Sequence, residues 1–151
     1  AGEGTTIDAT NPYSVLSGGR TLEIAVTLTV AADVATELER VVIRDAKKTG
    51  LKKTGAGTLS LADCRIEANG FMDASGITGC GAYIESGVLT MTNCALRGNV
   101  IYNKTGNLVY GTGIYLKNLT RAYLDDCSFV TNGMPTATSR QAAAVLMDVL
   151  P

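Results

Sequence analysis

The sequence predicts an all-β chain folded as a right-handed parallel β-helix of about four or five coils. One segment recurs three times: Leu61-Ala-Asp-Cys64-Arg-Ile66-Glu-Ala-Asn69, Met91-Thr-Asn-Cys94-Ala-Leu96-Arg-Gly-Asn99 and Leu124-Asp-Asp-Cys127-Ser-Phe129-Val-Thr-Asn132. Its cysteines lie 30 and 33 residues apart, and its asparagines keep the same intervals. A period in the tens of residues marks a solenoid, in which each repeat buries its apolar side against the next. A second segment interleaves with the first. Gly81-Ala82-Tyr83-Ile84-Glu85 matches Gly113-Ile114-Tyr115-Leu116-Lys117, and Ala143-Ala144-Val145-Leu146-Met147 fits as a third copy that aligns Leu146 with Ile84 and Leu116.

Alternation places each element. In the second segment the apolar second and fourth residues point inward and the third, Tyr83 or Tyr115, outward. Ahead of each cysteine, Leu59 and Leu61 alternate with Thr58 and Ser60, and Leu89 and Met91 alternate around Thr90. The step from Leu61 to Cys64 is odd, so a period-2 pattern must turn a corner at Ala62-Asp63, and likewise at Thr92-Asn93 and Asp125-Asp126. Each repeat therefore carries three short strands separated by bends.

Asparagine tolerates the left-handed backbone that a tight bend needs. Stacked coil on coil at roughly 4.8 Å, Asn69, Asn99 and Asn132 can bond amide to amide as a ladder. Cys64, Cys94 and Cys127 occupy one inward slot on successive coils. There they act as small apolar residues, close enough in principle to pair as disulfides. Cys80 stands outside the series. The competing architecture is a leucine-rich-repeat solenoid, whose template Leu61, Cys64, Ile66, Asn69 and Phe71 also fit. It requires a helical second half, whereas this half is Gly-bounded and alternating.

At 151 residues the chain reads as a single domain, with residues 1–40 as an N-terminal capping and first-coil region and 41–151 as the coils, the last incomplete. Within the first region, Thr21 to Val30 alternates as a strand, and Ala31 to Arg40 reads as a short helical excursion or a broad turn. Ser139–Leu150 has a secondary reading as a helical cap. The chain is expected to stop inside a coil, leaving strand edges and apolar core at its C-terminal end, to be covered either by a continuation of the chain or by another molecule.

Composition narrows function. With 46% hydrophobic residues, 18% charged and a net charge of −1, the chain has no basic signature for nucleic acid or an anionic membrane. The basic cluster Lys47, Lys48, Lys52 and Lys53 reads as a solvated loop. No apolar run approaches the roughly 18 residues of a membrane span. The start Ala-Gly-Glu fits a cleaved signal or an excised fragment. There is no histidine, which removes the commonest general acid-base group and every Ser-His-Asp or Cys-His arrangement.

No catalytic residue and no cofactor is expected. No metal site is expected either, and Asp125, Asp126 and Asp63 are the only calcium candidates, at the corner that also holds the one adjacent carboxylate pair. Asn103-Lys-Thr105 and Asn118-Leu-Thr120 are N-glycosylation sequons. Tyr102, Tyr110 and Tyr115, with outward Tyr83 and Tyr123, could form an aromatic strip for sugars or a partner. An outward Thr array for ice is broken by Tyr123 and Asp125.

Phe129-Val-Thr-Asn132 resembles the Phe-x-x-Asn motif of the polymorphic outer-membrane-protein repeat. Gly81-Ala82-Tyr83-Ile84 and Gly113-Ile114-Tyr115-Leu116 are similar to its companion Gly-Gly-Ala-[Ile/Leu/Val] motif, although Ile66 and Leu96 stand where the first motif has Phe. Leu51 to Leu61 is similar to the strand repeat of autotransporter passenger domains, so the resemblance spans roughly 50–147. It implies a secreted or surface-displayed parallel β-helix with an adhesive or structural role. The expected function is a non-enzymatic structural or adhesive module that acts through an outer face or an open solenoid end, with other protein chains at the open C-terminal coil as partners and surface glycans as a second partner class. The alternative is a carbohydrate-binding or polysaccharide-processing β-helix.

Overall fold

Strands account for every regular element of the computed structural model, which describes residues 13–70, 79–101, 111–133 and 144–148. Twelve follow one another: β1 (Ser14–Ser17), β2 (Ile24–Thr29), β3 (Ala35–Glu39), β4 (Val41–Arg44), β5 (Thr49–Thr54), β6 (Thr58–Ala62), β7 (Arg65–Glu67), β8 (Ala82–Thr92), β9 (Ala95–Arg97), β10 (Ile114–Asp125), β11 (Ser128–Val130) and β12 (Val145–Asp148). All pairings are parallel and join strands one coil apart, giving a β-solenoid of about four turns. No helix occurs among the described residues, so the leucine-rich-repeat alternative is excluded: its helical half is replaced by β5, β6, β8 and β10.

Each coil has three faces. The first stacks β1, β4, β7, β9 and β11. The second stacks β2, β5, the first halves of β8 and β10, and β12. The third stacks β3, β6 and the second halves of β8 and β10. The second and third strands of the last two full coils thus run together into one bent strand. The extra residue Thr120 is absorbed in β10, where the register to β8 shifts between Leu119 and Arg121.

Inward side chains form continuous columns. Leu16, Ile43, Ile66, Leu96 and Phe129 line the first face. Leu38, Leu61, Met91 and Leu124 line the third. On the second face, Val26, Leu51, Ala82, Ile114 and Val145 form one column, and Leu28, Lys53, Ile84, Leu116 and Met147 the other. The third copy of the glycine-led segment is therefore Ala144-Val145-Leu146-Met147, one residue from the expected alignment: Met147, not Leu146, continues the column of Ile84 and Leu116. Most of the middle-coil side chains are fully buried in one core.

Two further expectations change. Ala31 to Arg40 is a turn followed by strand β3, because Thr36 and Leu38 continue the columns of Leu59 and Leu61. The helical cap at Ser139–Leu150 gives way to strand β12 over Val145–Asp148, and the rest of that stretch lies outside the described residues.

The corners differ sharply in length. From the third face to the first, the chain turns with Arg40 alone, or with Asp63-Cys64, Asn93-Cys94 and Asp126-Cys127. From the first face to the second, the connection is short in the early coils (18–23 and 45–48) and long in the later ones (68–81, 98–113 and 131–144). This corner does most to stretch the repeat from 23 residues, as between Val42 and its partner Arg65, to 30 and 33.

Glycine is required where the second face starts. Gly50, Gly81 and Gly113 stack on one another, and a Cβ on Gly81 would lie 2.3 Å from the Gly113 carbonyl and 2.9 Å from the Asn99 amide nitrogen. Since the clash is with backbone, Gly81→Ala should destabilise the chain by ~1–3 kcal/mol. Urea unfolding followed by far-ultraviolet circular dichroism measures this. Gly133→Ala, where a Cβ meets nothing within 4 Å, is the control.

Candidate functional site

Four features carry polar chemistry: two corner columns, a buried lysine and the end of the last coil. The first corner is built from single left-handed residues. Arg40, Asp63, Asn93 and Asp126 have φ of 51°, 52°, 51° and 47°, which turns the chain sharply and costs little for Asp and Asn. Asn93 Nδ2 donates to Asp63 Oδ1 at 2.5 Å. Beside this corner lies a cavity of about 290 Å³ lined by Tyr13, Asp63, Arg65, Asn93, Asp126 and Ser128. The Arg65 guanidinium sits 4.3 Å from the Tyr13 ring centroid and donates to its hydroxyl at 3.4 Å. Asp63 and Asp126 face this cavity, but Asp125 belongs to the outward side of β10, in register with Thr92. The adjacent pair Asp125-Asp126 is thus split between a strand and a corner. Among the described residues no three acidic, cysteine or histidine side chains gather as a metal-binding group.

Immediately inside this corner stand the three repeat cysteines. All four cysteines are free thiols. Each repeat thiol donates to the carbonyl two residues back and to one on the preceding coil: Cys64 Sγ to Ala62 and Leu38, Cys94 Sγ to Thr92 and Leu61, Cys127 Sγ to Asp125 and Met91. The neighbouring Cys64 sulfur and burial hold the Cys94 thiol above its ordinary pKa. Cys80 lies elsewhere, donating to the Asn69 carbonyl at 3.1 Å, and burial alone raises its pKa.

The second corner holds the repeat asparagines. The left-handed residues here are Asp45, Ala68, Gly98 and Thr131, not the asparagines that follow three of them. The preceding residue makes the bend, and the asparagine is freed to turn inward. Asn69 Nδ2 donates to Asn99 Oδ1 at 3.0 Å, and Asn99 Nδ2 donates to Asn132 Oδ1 at 2.9 Å. Each amide also donates to a carbonyl of the preceding coil, Ile43, Ile66 or Leu96. Each carbonyl oxygen accepts a main-chain N–H, from Ala46, Asn69 and Asn99 respectively. The amides lie against the Gly50, Gly81 and Gly113 stack.

Lys53 overturns the solvated-loop reading of the basic cluster. Its side chain points into the core and is fully buried. The ammonium donates to the carbonyls of Gly55 (2.5 Å), Gly57 (2.8 Å) and Ser86 (2.6 Å), which fills all three of its N–H positions. Burial pulls its pKa below the usual lysine value. The signal was present in the sequence: Gly50-Leu51-Lys52-Lys53 is a further copy of Gly81-Ala82-Tyr83-Ile84, 31 residues earlier, and puts Lys53 in the slot of Ile84.

Among the described residues the aromatic strip does not form. Tyr83 and Tyr115 stack at 5.5 Å between ring centroids but are buried, and the Tyr115 hydroxyl donates to Asp148 Oδ2 at 3.0 Å. Burial and a hydrogen bond to Glu85 push the Tyr83 hydroxyl above its usual pKa. Tyr123 is exposed but lies on the third face, and Tyr102 and Tyr110 fall outside the described residues. Of the two sequons, Asn118 sits half-buried at the bend of β10 with φ 53°, and Asn103 is outside the described residues.

At the last coil the columns lose cover. Leu124 is 38% exposed although Leu61 and Met91, below it, are buried, and Met147 is 56% exposed above buried Leu116 and Ile84. A hollow of about 220 Å³ opens there, lined by Leu116, Leu119, Ala122 and Met147, with Arg121 and Asp148 also in its wall.

Comparison with protein-family models, with curated proteins and with solved structures returns no match to this chain.

Asn99→Ala should cost ~3 kcal/mol, because Asn69 loses two acceptor contacts and the Ile66 carbonyl its side-chain donor inside a buried column. Chemical denaturation reads that loss. Lys53→Met, which keeps the length of the stem but strands three carbonyls, should cost ~1–3 kcal/mol in the same assay. An unchanged midpoint would show that the carbonyls find water.

Proposed function

We propose that this chain is a non-enzymatic structural or adhesive β-solenoid module of an extracellular or surface protein, or of a multi-subunit assembly. It makes contact through the open end of its last coil. The observation that carries this reading is the break in the inward columns: Leu124 and Met147 continue buried aliphatic rows yet stand uncovered. Strand edges accompany them. Among the described residues β11 pairs with β9 alone and the second half of β10 with β8 alone, so their outer edges are where an incoming strand would add. The hollow walled by Leu116, Leu119, Ala122 and Met147 suits an apolar side chain from the partner. The stacked asparagines serve this role as a ladder that fixes coil register, so the end is presented with defined geometry. The motifs resembling outer-membrane-protein and autotransporter-passenger repeats favour the same surface setting.

The second reading is carbohydrate binding at the corner cavity, where the Tyr13 ring, the Arg65 guanidinium and the Asp63 and Asp126 carboxylates converge on one small space.

Native mass spectrometry and negative-stain imaging distinguish them. Regular oligomers or filaments are expected, with Leu124→Lys weakening association by more than ~10-fold while the β circular-dichroism signal persists. A stable monomer that binds glycans, and loses them on Asp126→Ala, would overturn the first reading in favour of the second.

A further inference from the structure

We propose that Cys127 and Cys94 form a thiol–disulfide exchange site, in which a small disulfide enters at Cys127 and leaves the last coil covalently tied to the coil below. This rests on the fold alone and applies while the last coil is uncovered.

Placement comes first. Cys94 and Cys127 occupy the same slot on adjacent coils, and Ser128 N donates to the Cys94 carbonyl at 2.9 Å, which fixes the two backbones in register. Stacked positions of neighbouring parallel strands lie roughly 4.8 Å apart, inside the roughly 4.4–6.8 Å between Cα atoms that a disulfide spans. Both thiols share one orientation, since each donates to the carbonyl two residues back and to one on the coil below. Neither hydrogen bond is a strong one, so a rotation that turns one sulfur toward the other gives up little.

Access decides which pair reacts. Cys64 and Cys94 are 1% and 2% exposed, and Cys80 is fully buried. Cys127 alone of the four is partly exposed, because it belongs to the uncovered coil. The first step is therefore attack by the Cys127 thiolate on an external disulfide, such as oxidised glutathione. A mixed disulfide forms at Cys127, one external thiol leaves, and the thiol proton goes to solvent. In the second step Cys94, deprotonated, attacks the Cys127 sulfur. The Cys94–Cys127 bond forms, the second external thiol departs, and the external disulfide has been reduced by two electrons. Cys64 lies one coil further in, beyond Cys94, and stays a thiol.

The chemistry orders the steps. The neighbouring Cys64 sulfur and burial raise the Cys94 pKa, which disfavours its thiolate, so the second step is the slow one. A mixed disulfide on Cys127 accumulates first and converts faster as pH rises.

The test treats the folded chain with oxidised glutathione, quenches in acid, and maps thiols by alkylation and peptide mass spectrometry under denaturing conditions. The expected product has lost two alkylatable thiols and yields one linked peptide containing Cys94 and Cys127, with Cys64 and Cys80 alkylated. Cys94→Ala should trap the glutathione adduct on Cys127. Cys127→Ala should leave the remaining thiols reduced, and Cys64→Ala should still form the link. Linkage of Cys64 to Cys94, a wild-type adduct on Cys127 that never resolves, or four thiols that remain alkylatable would each overturn the proposal. Circular dichroism of every variant separates a lost link from a lost fold.

Discussion

In-register stacking of one coil on the next is the constraint from which the rest of this structure follows. Each strand in the middle coils hydrogen-bonds to the equivalent strand of the coil above and below, so each of their residues has the same position in its neighbour as a ceiling or a floor. A change of size at one level is felt at the levels beside it, because interiors pack to near-crystalline density. The columns obey this: Ile66 sits between Ile43 and Leu96, and Leu61 between Leu38 and Met91. The side-chain amides of Asn69, Asn99 and Asn132 do laterally what the strands do along the faces. They donate and accept up the stack, and so satisfy main-chain groups at a corner where no strand runs.

Corners share the work unequally. The turn from third face to first uses one left-handed residue and admits almost no variation in length. The turn from first face to second has absorbed most of the length differences between coils. Loop-closure entropy grows slowly, by only ~0.6 kcal/mol per doubling, so lengthening that turn perturbs stability little while the strands on either side keep their partners. Surface pairs such as Arg97 with Glu67 and Lys117 with Glu85 bridge neighbouring coils on the outside, but exposed pairs of this kind are worth well under ~1 kcal/mol each.

The fold was legible in the sequence because the Cys-to-Asn spacing and the glycine-led alternation both report one repeating coil. The odd step between Leu61 and Cys64 located the sharp corner at Asp63. Less was legible of the polar residues. That Ala68, Gly98 and Thr131 rather than the asparagines take the left-handed backbone follows from the asparagines' partners on the next coil, which a single repeat does not display. Tyr83 and Tyr115 alternate as outward residues do, and no local pattern reports that their rings are covered. Lys53 misled for the opposite reason. Its charge and its basic neighbours Lys47, Lys48 and Lys52 suggested solvent, while the glycine three residues before it carried the information about where it points. Asp125 and Asp126 are adjacent in sequence and separated by the corner in space.

A solenoid of similar coils faces a hazard that a globular domain does not: pairing one coil out of step costs little, because the slipped partner looks much like the right one. Lys53 removes that degeneracy. Its three carbonyl partners come from Gly55 and Gly57 on its own coil and Ser86 on the next, so only one pairing of these coils receives the cation. A slipped pairing would leave an ammonium buried against aliphatics, which is the costliest group to strand in a protein interior. One charge in an otherwise apolar row thus labels its coil, much as a single buried polar residue sets the alignment of a coiled coil.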